Sequence, residues 1–213
     1  MSSEEILKEI AREVSVCEKC RLCQGRNKAV PGEGSSQAKI LFIGEGPGFN
    51  EDQQGRPFVG KAGGLLEEAL ASINLQRSDV FIANVVKCRP PENRDPNADE
   101  IAACNTYLDR QIEALNPQTI VTLGRFSMAK FFKKGEKISM IHGRARREGE
   151  RIYIAMFHPA AALRDVRTME MFRSDFKKIP MIIAEGERRA REGKLAPVVV
   201  KPKEEPPEQL SLF

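Results

Sequence analysis

Four short apolar runs alternate with longer segments of helical spacing, and this alternation restricts the fold more than any other feature of the chain. The runs are 39–44 (Lys-Ile-Leu-Phe-Ile-Gly), 80–86 (Val-Phe-Ile-Ala-Asn-Val-Val), 119–124 (Thr-Ile-Val-Thr-Leu-Gly) and 153–157 (Tyr-Ile-Ala-Met-Phe). Each is nearly continuous in apolar residues, the pattern of a strand buried on both faces of a parallel sheet. Between them, helical segments cover about 60–73, 97–115 and 125–133, with Leu70, Ile73, Ile101, Leu108, Ile112 and Leu115 on apolar faces. Strand alternating with helix predicts an α/β fold with a parallel sheet covered on both sides. A further helix spans 3–16, with Ser3 as its N-cap, and a last one covers about 169–192. Residues 24–37 read as a polar loop, and 142–152 as a basic hairpin or turn.

The length, 213 residues, suits one domain with or without a tail. Apolar residues make up 41% and charged residues 30%, enough for a sizeable core. No run approaches the ~18 apolar residues of a membrane-spanning helix. The acidic start, Met1-Ser2-Ser3-Glu4-Glu5, lacks the apolar stretch of a signal peptide. A cytoplasmic location is expected. The formal charge of +4 permits a polyanionic partner without requiring one. The domain is expected over 1–192, followed by a flexible tail over 193–213.

Five cysteines in such a chain do not suggest a disulfide framework. Cys17, Cys20 and Cys23 form C-x2-C-x2-C; Cys88 follows a predicted strand, and Cys104 lies on a predicted helix. Structural zinc usually takes two close pairs. Here the thiols come from three separate elements, an arrangement that could also enclose an iron–sulfur cluster. Spacing alone leaves both open.

Gly44-Glu45-Gly46-Pro47-Gly48 follows a strand, where an open α/β sheet places its ligand site. The stretch 55–62 (Gly-Arg-Pro-Phe-Val-Gly-Lys-Ala) mimics a phosphate-binding loop. Ala62 stands where the magnesium-binding hydroxyl belongs, and the loop-like 50–54, not a strand, precedes it, so a nucleotide triphosphatase is excluded. His158 directly follows the last predicted strand, at the functional edge of a parallel sheet. Asn84 lies within a buried strand, where an amide must find partners or face a ligand.

Taken together these stretches resemble the family 4 uracil-DNA glycosylases, the iron–sulfur type found in archaea and bacteria. The resemblance rests on Cys17 and Cys20 before Arg21-Leu22, on the glycine motifs at 44–48 and 55–63, on 84–94 (Asn-Val-Val-Lys-Cys-Arg-Pro-Pro-Glu-Asn-Arg), and on His158-Pro159-Ala160-Ala161. It covers about residues 15–185. It implies an α/β/α sandwich around a four-stranded parallel sheet, one [4Fe–4S] cluster, and removal of uracil from DNA. The implied cluster ligands are Cys17, Cys20, Cys88 and Cys104, leaving Cys23 as a spare thiol.

The resemblance also orders the other candidates. Asn84 would match uracil O4 and N3–H with one acceptor and one donor, a pattern that cytosine inverts. Phe58 would stack on the ring. His158 would donate to O2 of the departing anion, assisted by backbone N–H groups near Gly46 and Pro47. Glu45 and Glu51 are the carboxylates for positioning water; alternatively Glu51 bonds Asn93 and holds the loop. Gly46 occupies the place where related family 1 enzymes carry an aspartate, so no base is obvious. Leu163 is a candidate wedge for the space left by a flipped base. Lys87, Arg89, Arg94, Arg144, Arg146, Arg147 and Arg164 are candidate phosphate contacts.

Three other readings are set beside this one. An iron–sulfur protein of the same fold could bind uracil-DNA without turnover. A related branch traps its substrate covalently with a histidine near the second motif, and residues 88–96 contain none. A zinc-bound structural module is the third. The tail carries four prolines over 194–207 and ends Gln209-Leu210-Ser211-Leu212-Phe213, similar to the short motif by which archaeal repair enzymes bind the sliding clamp. A monomer is expected, with no membrane partner.

Overall fold

The computed structural model describes residues 1–191. Its elements in chain order are α1 (Ser3–Ser15), β1 (Glu33–Gly34), β2 (Ile40–Gly44), α2 (Phe49–Gln54), α3 (Lys61–Ala71), β3 (Phe81–Asn84), α4 (Ala98–Leu115), β4 (Thr119–Leu123), α5 (Arg125–Phe131), α6 (Ile138–Ile141), β5 (Ala145–Glu148), β6 (Arg151–Met156), α7 (Pro159–Ala162) and α8 (Val166–Arg191).

The four predicted strands are all present and mutually parallel, in the order β3-β2-β4-β6. Phe42 pairs with Ile82 on one side and Val121 on the other, and Val121 pairs with Ile154. The sheet is larger than expected, with six strands and mixed direction. β1 adds antiparallel to β3 within the predicted polar loop, and β5 adds antiparallel to β6, completing the predicted basic hairpin. Neither edge strand carries an apolar run, so neither has a period that sequence alone could reveal.

Side-chain alternation divides the core into two layers. Leu41 and Ile43 face α1 and α4, meeting Ile10, Val14, Leu108 and Ile112. Phe42, Val121 and Ile154 face the opposite way, against Leu66 and Leu70 of α3 and Phe172 and Phe176 of α8. The Phe42 and Phe176 rings stack at 5.7 Å. The three-layer α/β/α arrangement follows from these two faces.

Two local readings change. The N-cap of α1 is Ser2, not Ser3. Ser2 Oγ accepts from the Glu5 N–H at 3.3 Å, while the Ser2 N–H donates to Glu5 Oε2 at 2.7 Å. Only Ser2 has a glutamate three residues on, as this reciprocal cap requires. Residues 50–54, read as loop, form α2, which Gly55 ends in the left-handed conformation at φ 76°. The phosphate-loop mimic therefore follows a helix, and the exclusion of that reading stands.

Candidate active site

The carboxyl ends of all four parallel strands open into one cleft of about 530 Å³. Glu45, Gly46, Pro47 and Gly48 enter it after β2, Asn84 ends β3, Gly124 follows β4, and Phe157 and His158 follow β6. Glu51, Phe58, Asn93, Arg94, Asp95, Arg125 and Arg164 complete most of the lining.

Asn84 is 1% exposed, yet its Oδ1 has no hydrogen-bond partner among the described residues. An orphaned buried acceptor costs about 1–3 kcal/mol unless a ligand supplies the missing donor. Gly44 lies directly beneath it. A Cβ there would stand 2.4 Å from Asn84 Oδ1 and 2.6 Å from Phe58 Cζ, so only glycine lets both side chains meet at that point.

Phe58 is buried and holds a positive φ of 53°, uncommon for a residue with a bulky side chain. Its conformation is fixed from two sides. Arg77 donates to the carbonyls of Pro57 at 2.6 Å and Phe58 at 2.9 Å. Gly63, in the first turn of α3, lets that helix lie against the Phe58 carbonyl. The Phe58 ring stacks near His158 with centroids 5.6 Å apart.

His158 caps α7, its Nδ1 accepting from the Ala160 N–H at 3.1 Å. That bond assigns the proton to Nε2. Burial pushes the imidazole down to about 4, with Glu51 opposing and Arg164 reinforcing the shift. Near neutral pH the ring is therefore an uncharged donor through Nε2.

The two glutamates differ. Glu51 Oε1 accepts from the Val59 and Gly60 N–H groups at 2.9 and 2.8 Å, and Oε2 from the Gly48 N–H at 3.1 Å. It thus ties the glycine loop after β2 to the start of α3. Glu51 makes no bond to Asn93, whose Oδ1 instead accepts from the Arg89 Nε–H at 2.8 Å. Glu45 is half-buried at the cleft. Burial raises its pKa, the Asp95 carboxylate adds to this, and Arg125 opposes it. Arg125 is itself paired with Asp95.

The candidate phosphate contacts separate into groups. Lys87 is not among them: it is 1% exposed and wholly internal. Arg94 grips the buried Glu100 through both terminal nitrogens, at 2.9 and 2.6 Å. Arg146 lies over the Phe132 and Tyr153 rings, and Arg147 donates to the Gly149 and Gly186 carbonyls. Arg89 sits 5.2 Å over the exposed Phe49 ring. Arg144 and Arg164 are exposed, and Arg164 lines the cleft. Leu163, 46% exposed, stands between the lining residues Ala161 and Arg164.

A second pocket gathers Cys17, Cys20, Cys23, Cys88 and Cys104 together with Lys87 and Tyr107. Three thiols receive N–H donors: Cys17 from Lys19 at 3.5 Å, Cys88 from Arg26 at 3.3 Å and Cys104 from the Lys87 amide at 3.3 Å. Burial raises Cys20 and Cys88, and lifts Cys104 to about 11. Among the described residues, no three His, Cys, Asp or Glu side chains converge closely enough to hold a single metal ion. No described helix is long and apolar enough to cross a membrane.

The sequence reading missed Arg77, Gly63 and Lys87 as parts of this architecture. For Lys87 a signal existed: a lone charge within the apolar stretch Val85-Val86-Lys87-Cys88. Arg77 and Gly63 act on Phe58 only through tertiary approach, which has no local period.

Residues 31–179 match the family model of the Uracil DNA glycosylase superfamily. The chain is 52% identical to a type-4 uracil-DNA glycosylase of Sulfurisphaera tokodaii, over 81% of this chain and 83% of the relative. It is 48% identical to a type-4 enzyme of Archaeoglobus fulgidus, over 82% and 92%. A type-4 enzyme of Thermotoga maritima is 44% identical over 80% and 89%.

Proposed function

The chain belongs to the uracil-DNA glycosylase superfamily, and from that premise we propose how its cleft recognises and releases uracil. The reaction is excision of uracil from DNA by hydrolysis of the N-glycosidic bond, a step of DNA repair. The observation that carries the residue assignment is the buried, unpaired Oδ1 of Asn84 in the cleft beside Phe58.

The substrate base must leave the stack to enter such a cleft. In this reading uracil N3–H donates to the orphaned Asn84 Oδ1, and the Asn84 amide N–H donates to O4. Cytosine has no N3–H and a donor in place of O4, so it leaves both groups mismatched. Phe58 stacks on the ring, and Leu163 fills the vacated position in the duplex.

Breaking the N1–C1′ bond sends its electron pair onto the base and leaves the sugar cationic; water then adds at C1′ and releases a proton. His158 donates from Nε2 to O2, where the negative charge collects, and backbone N–H groups near Gly46 and Pro47 assist. A neutral donor suits this role because it stabilises the anion without a charge that the buried site would have to desolvate. Glu45, whose pKa is raised by burial, is the carboxylate placed to orient water near the sugar. Glu51 serves by holding the loop.

For the cofactor, the donor set is four cysteines, Cys17, Cys20, Cys88 and Cys104, from three elements. A [4Fe–4S] cubane presents one iron to each thiolate, so its ligands surround a volume and need not converge on a point. That fits a pocket lined by all four. The iron charge would hold as thiolates Cys20, Cys88 and Cys104, whose pKa values burial raises. When bound, the cluster would cross-link residues 17, 20, 88 and 104 and supply no step in glycosidic cleavage.

The reading extends to a cytoplasmic monomer whose tail docks on the sliding clamp. The tail lies outside the described residues, and the support for clamp binding is its terminal Gln-x-x-Leu-Phe pattern. The test of the activity is incubation with a uracil-containing oligonucleotide followed by alkali. Strand cleavage at the uracil position is expected, and a cytosine control should stay intact. Binding without cleavage would overturn the assignment as an enzyme.

A further inference from the structure

Lys87 combines three properties that the reaction as described leaves unused. It is 1% exposed, its ammonium donates to the Asn84 carbonyl at 3.0 Å and to Gln111 Oε1 at 2.6 Å, and its own backbone N–H donates to Cys104 Sγ at 3.3 Å. Both side-chain acceptors are neutral. Burying an ammonium on two neutral acceptors is costly even with the Cys104 thiol nearby, so the bonds it makes to Asn84 and Gln111 are the feature to explain.

The surroundings supply the explanation. Asn84 is the last residue of β3, where the chain leaves the sheet, and its side chain is the proposed base reader. Beyond that point the Val85 and Val86 N–H groups still bond the Gly44 and Glu45 carbonyls at 3.1 and 3.0 Å, while the Asn84 carbonyl is the group that Lys87 takes. Lys87 Nζ holds the Asn84 carbonyl from behind. Gln111, on α4, anchors the ammonium, and its own Nε2 donates to the Pro31 carbonyl at 2.7 Å. The Lys87 carbonyl in turn accepts from the Val30 N–H at 2.7 Å. Lys87 is therefore bonded on one side to the cleft and on the other to the cysteine-lined pocket, which it also lines.

We propose that Lys87 is a positioning residue for base reading, fixing the Asn84 amide in register with the flipped uracil and coupling that register to the cysteine pocket. The inference rests on the assignment of Asn84 as the uracil reader. It predicts that removing the ammonium displaces the reader without emptying the cysteine pocket. A displacement on the order of 1 Å at a reacting site costs about 10²-fold in rate.

The experiment compares wild type, Lys87→Met and Gln111→Met, each as the full chain with its iron content measured. Single-turnover excision is followed on a uracil oligonucleotide and expressed per iron-loaded molecule. Binding of the free base uracil and of abasic-site DNA is measured in parallel. Lys87→Met should lose about 10²-fold in single-turnover rate and a comparable factor in uracil affinity, while abasic-DNA affinity stays within ~2-fold. Gln111→Met, which loosens the ammonium and also frees the Pro31 carbonyl, should move rate and uracil affinity the same way by a smaller factor, and keeps the test available if Lys87→Met does not fold. Wild-type rate and uracil affinity per loaded molecule in either folded variant, with only thermal stability lowered, would overturn the proposal. Normal uracil binding by an Asn84→Ala variant would instead overturn the base-reading assignment beneath it.

Discussion

Two adjacent glycines in the first turn of α3 provide a controlled test of how the site is built. At Gly63 a Cβ would stand 1.9 Å from the Phe58 carbonyl oxygen and 2.2 Å from its carbon; at Gly64 nothing lies within 4 Å. Both sit in the same helix, so Ala favours helix formation equally at each, by up to ~1 kcal/mol. The difference between the variants therefore isolates the contact with Phe58. To reach ordinary contact, the Phe58 backbone must retreat by about 1.5 Å, a displacement that costs roughly 10²-fold in rate at a reacting site. Overpacking of this kind also costs about 1–3 kcal/mol of stability. Gly63→Ala should thus melt lower and excise uracil about 10²-fold more slowly in single turnover. Gly64→Ala should keep wild-type rate and melt at or slightly above wild type. Equal rates for the two variants would refute the claim that the Phe58 backbone is held by the approach of α3.

The other predictions concern chemistry and stability. Asn84→Asp places an acceptor where a donor to O4 is needed, and should lose roughly 1–3 kcal/mol or more of uracil discrimination in competition assays. His158→Ala should slow excision by about 10²–10³-fold with little change in DNA affinity. Because the folded imidazole titrates near 4, below the ~6.5 of an unfolded histidine, the folded state resists protonation. Stability from this group is intact above about pH 6.5, falls as pH drops toward 4, and changes no further below; the loss reaches at most ~3 kcal/mol. Urea titrations of His158→Ala between pH 7 and 4 should show a shallower acid loss than wild type. Purified protein should absorb broadly near ~400 nm, and Ala at Cys17, Cys20, Cys88 or Cys104 should lose iron while Cys23→Ala retains it; zinc alone by metal analysis would contradict this. Calorimetry of the intact chain and a 1–193 truncation against the sliding clamp should give heat only with the intact chain.

The legible parts of this molecule are those where one short window carries the whole signal. The four central strands are near-continuous apolar runs, and Asn84 and His158 are polar residues set at their ends, so sheet and cleft edge could be read together. The edge strands could not. Glu33–Gly34 is too short for any period, and the arginines of Ala145–Glu148 resemble a solvated turn until the partner strand is known. After Phe49, α2 is built from Asn, Glu, Asp and Gln, a composition that also suits a loop; its cap comes from Glu51, whose bonds reach eight and nine residues away as well as three. Lys87 shows the opposite failure. Its charge suggested a surface role despite the apolar stretch around it, and its two acceptors, the Asn84 carbonyl and Gln111 from α4, come together only in the fold.

The three amide contacts of Glu51 have a consequence for how the enzyme meets DNA. One carboxylate fastens residues 48, 59 and 60 together, so the Pro47 and Phe58 walls of the cleft are set before any substrate arrives. A receptor organised in advance contributes little of the distortion needed to form the complex. The distortion then falls on the nucleic acid, and the energy of opening the helix becomes the quantity that ranks substrates. Uracil in a mismatch or on a single strand comes out more cheaply than uracil paired with adenine. Excision should therefore rank uracil in a mismatch or on a single strand above uracil paired with adenine, sorting targets by how readily the DNA yields before a single group of the base is read.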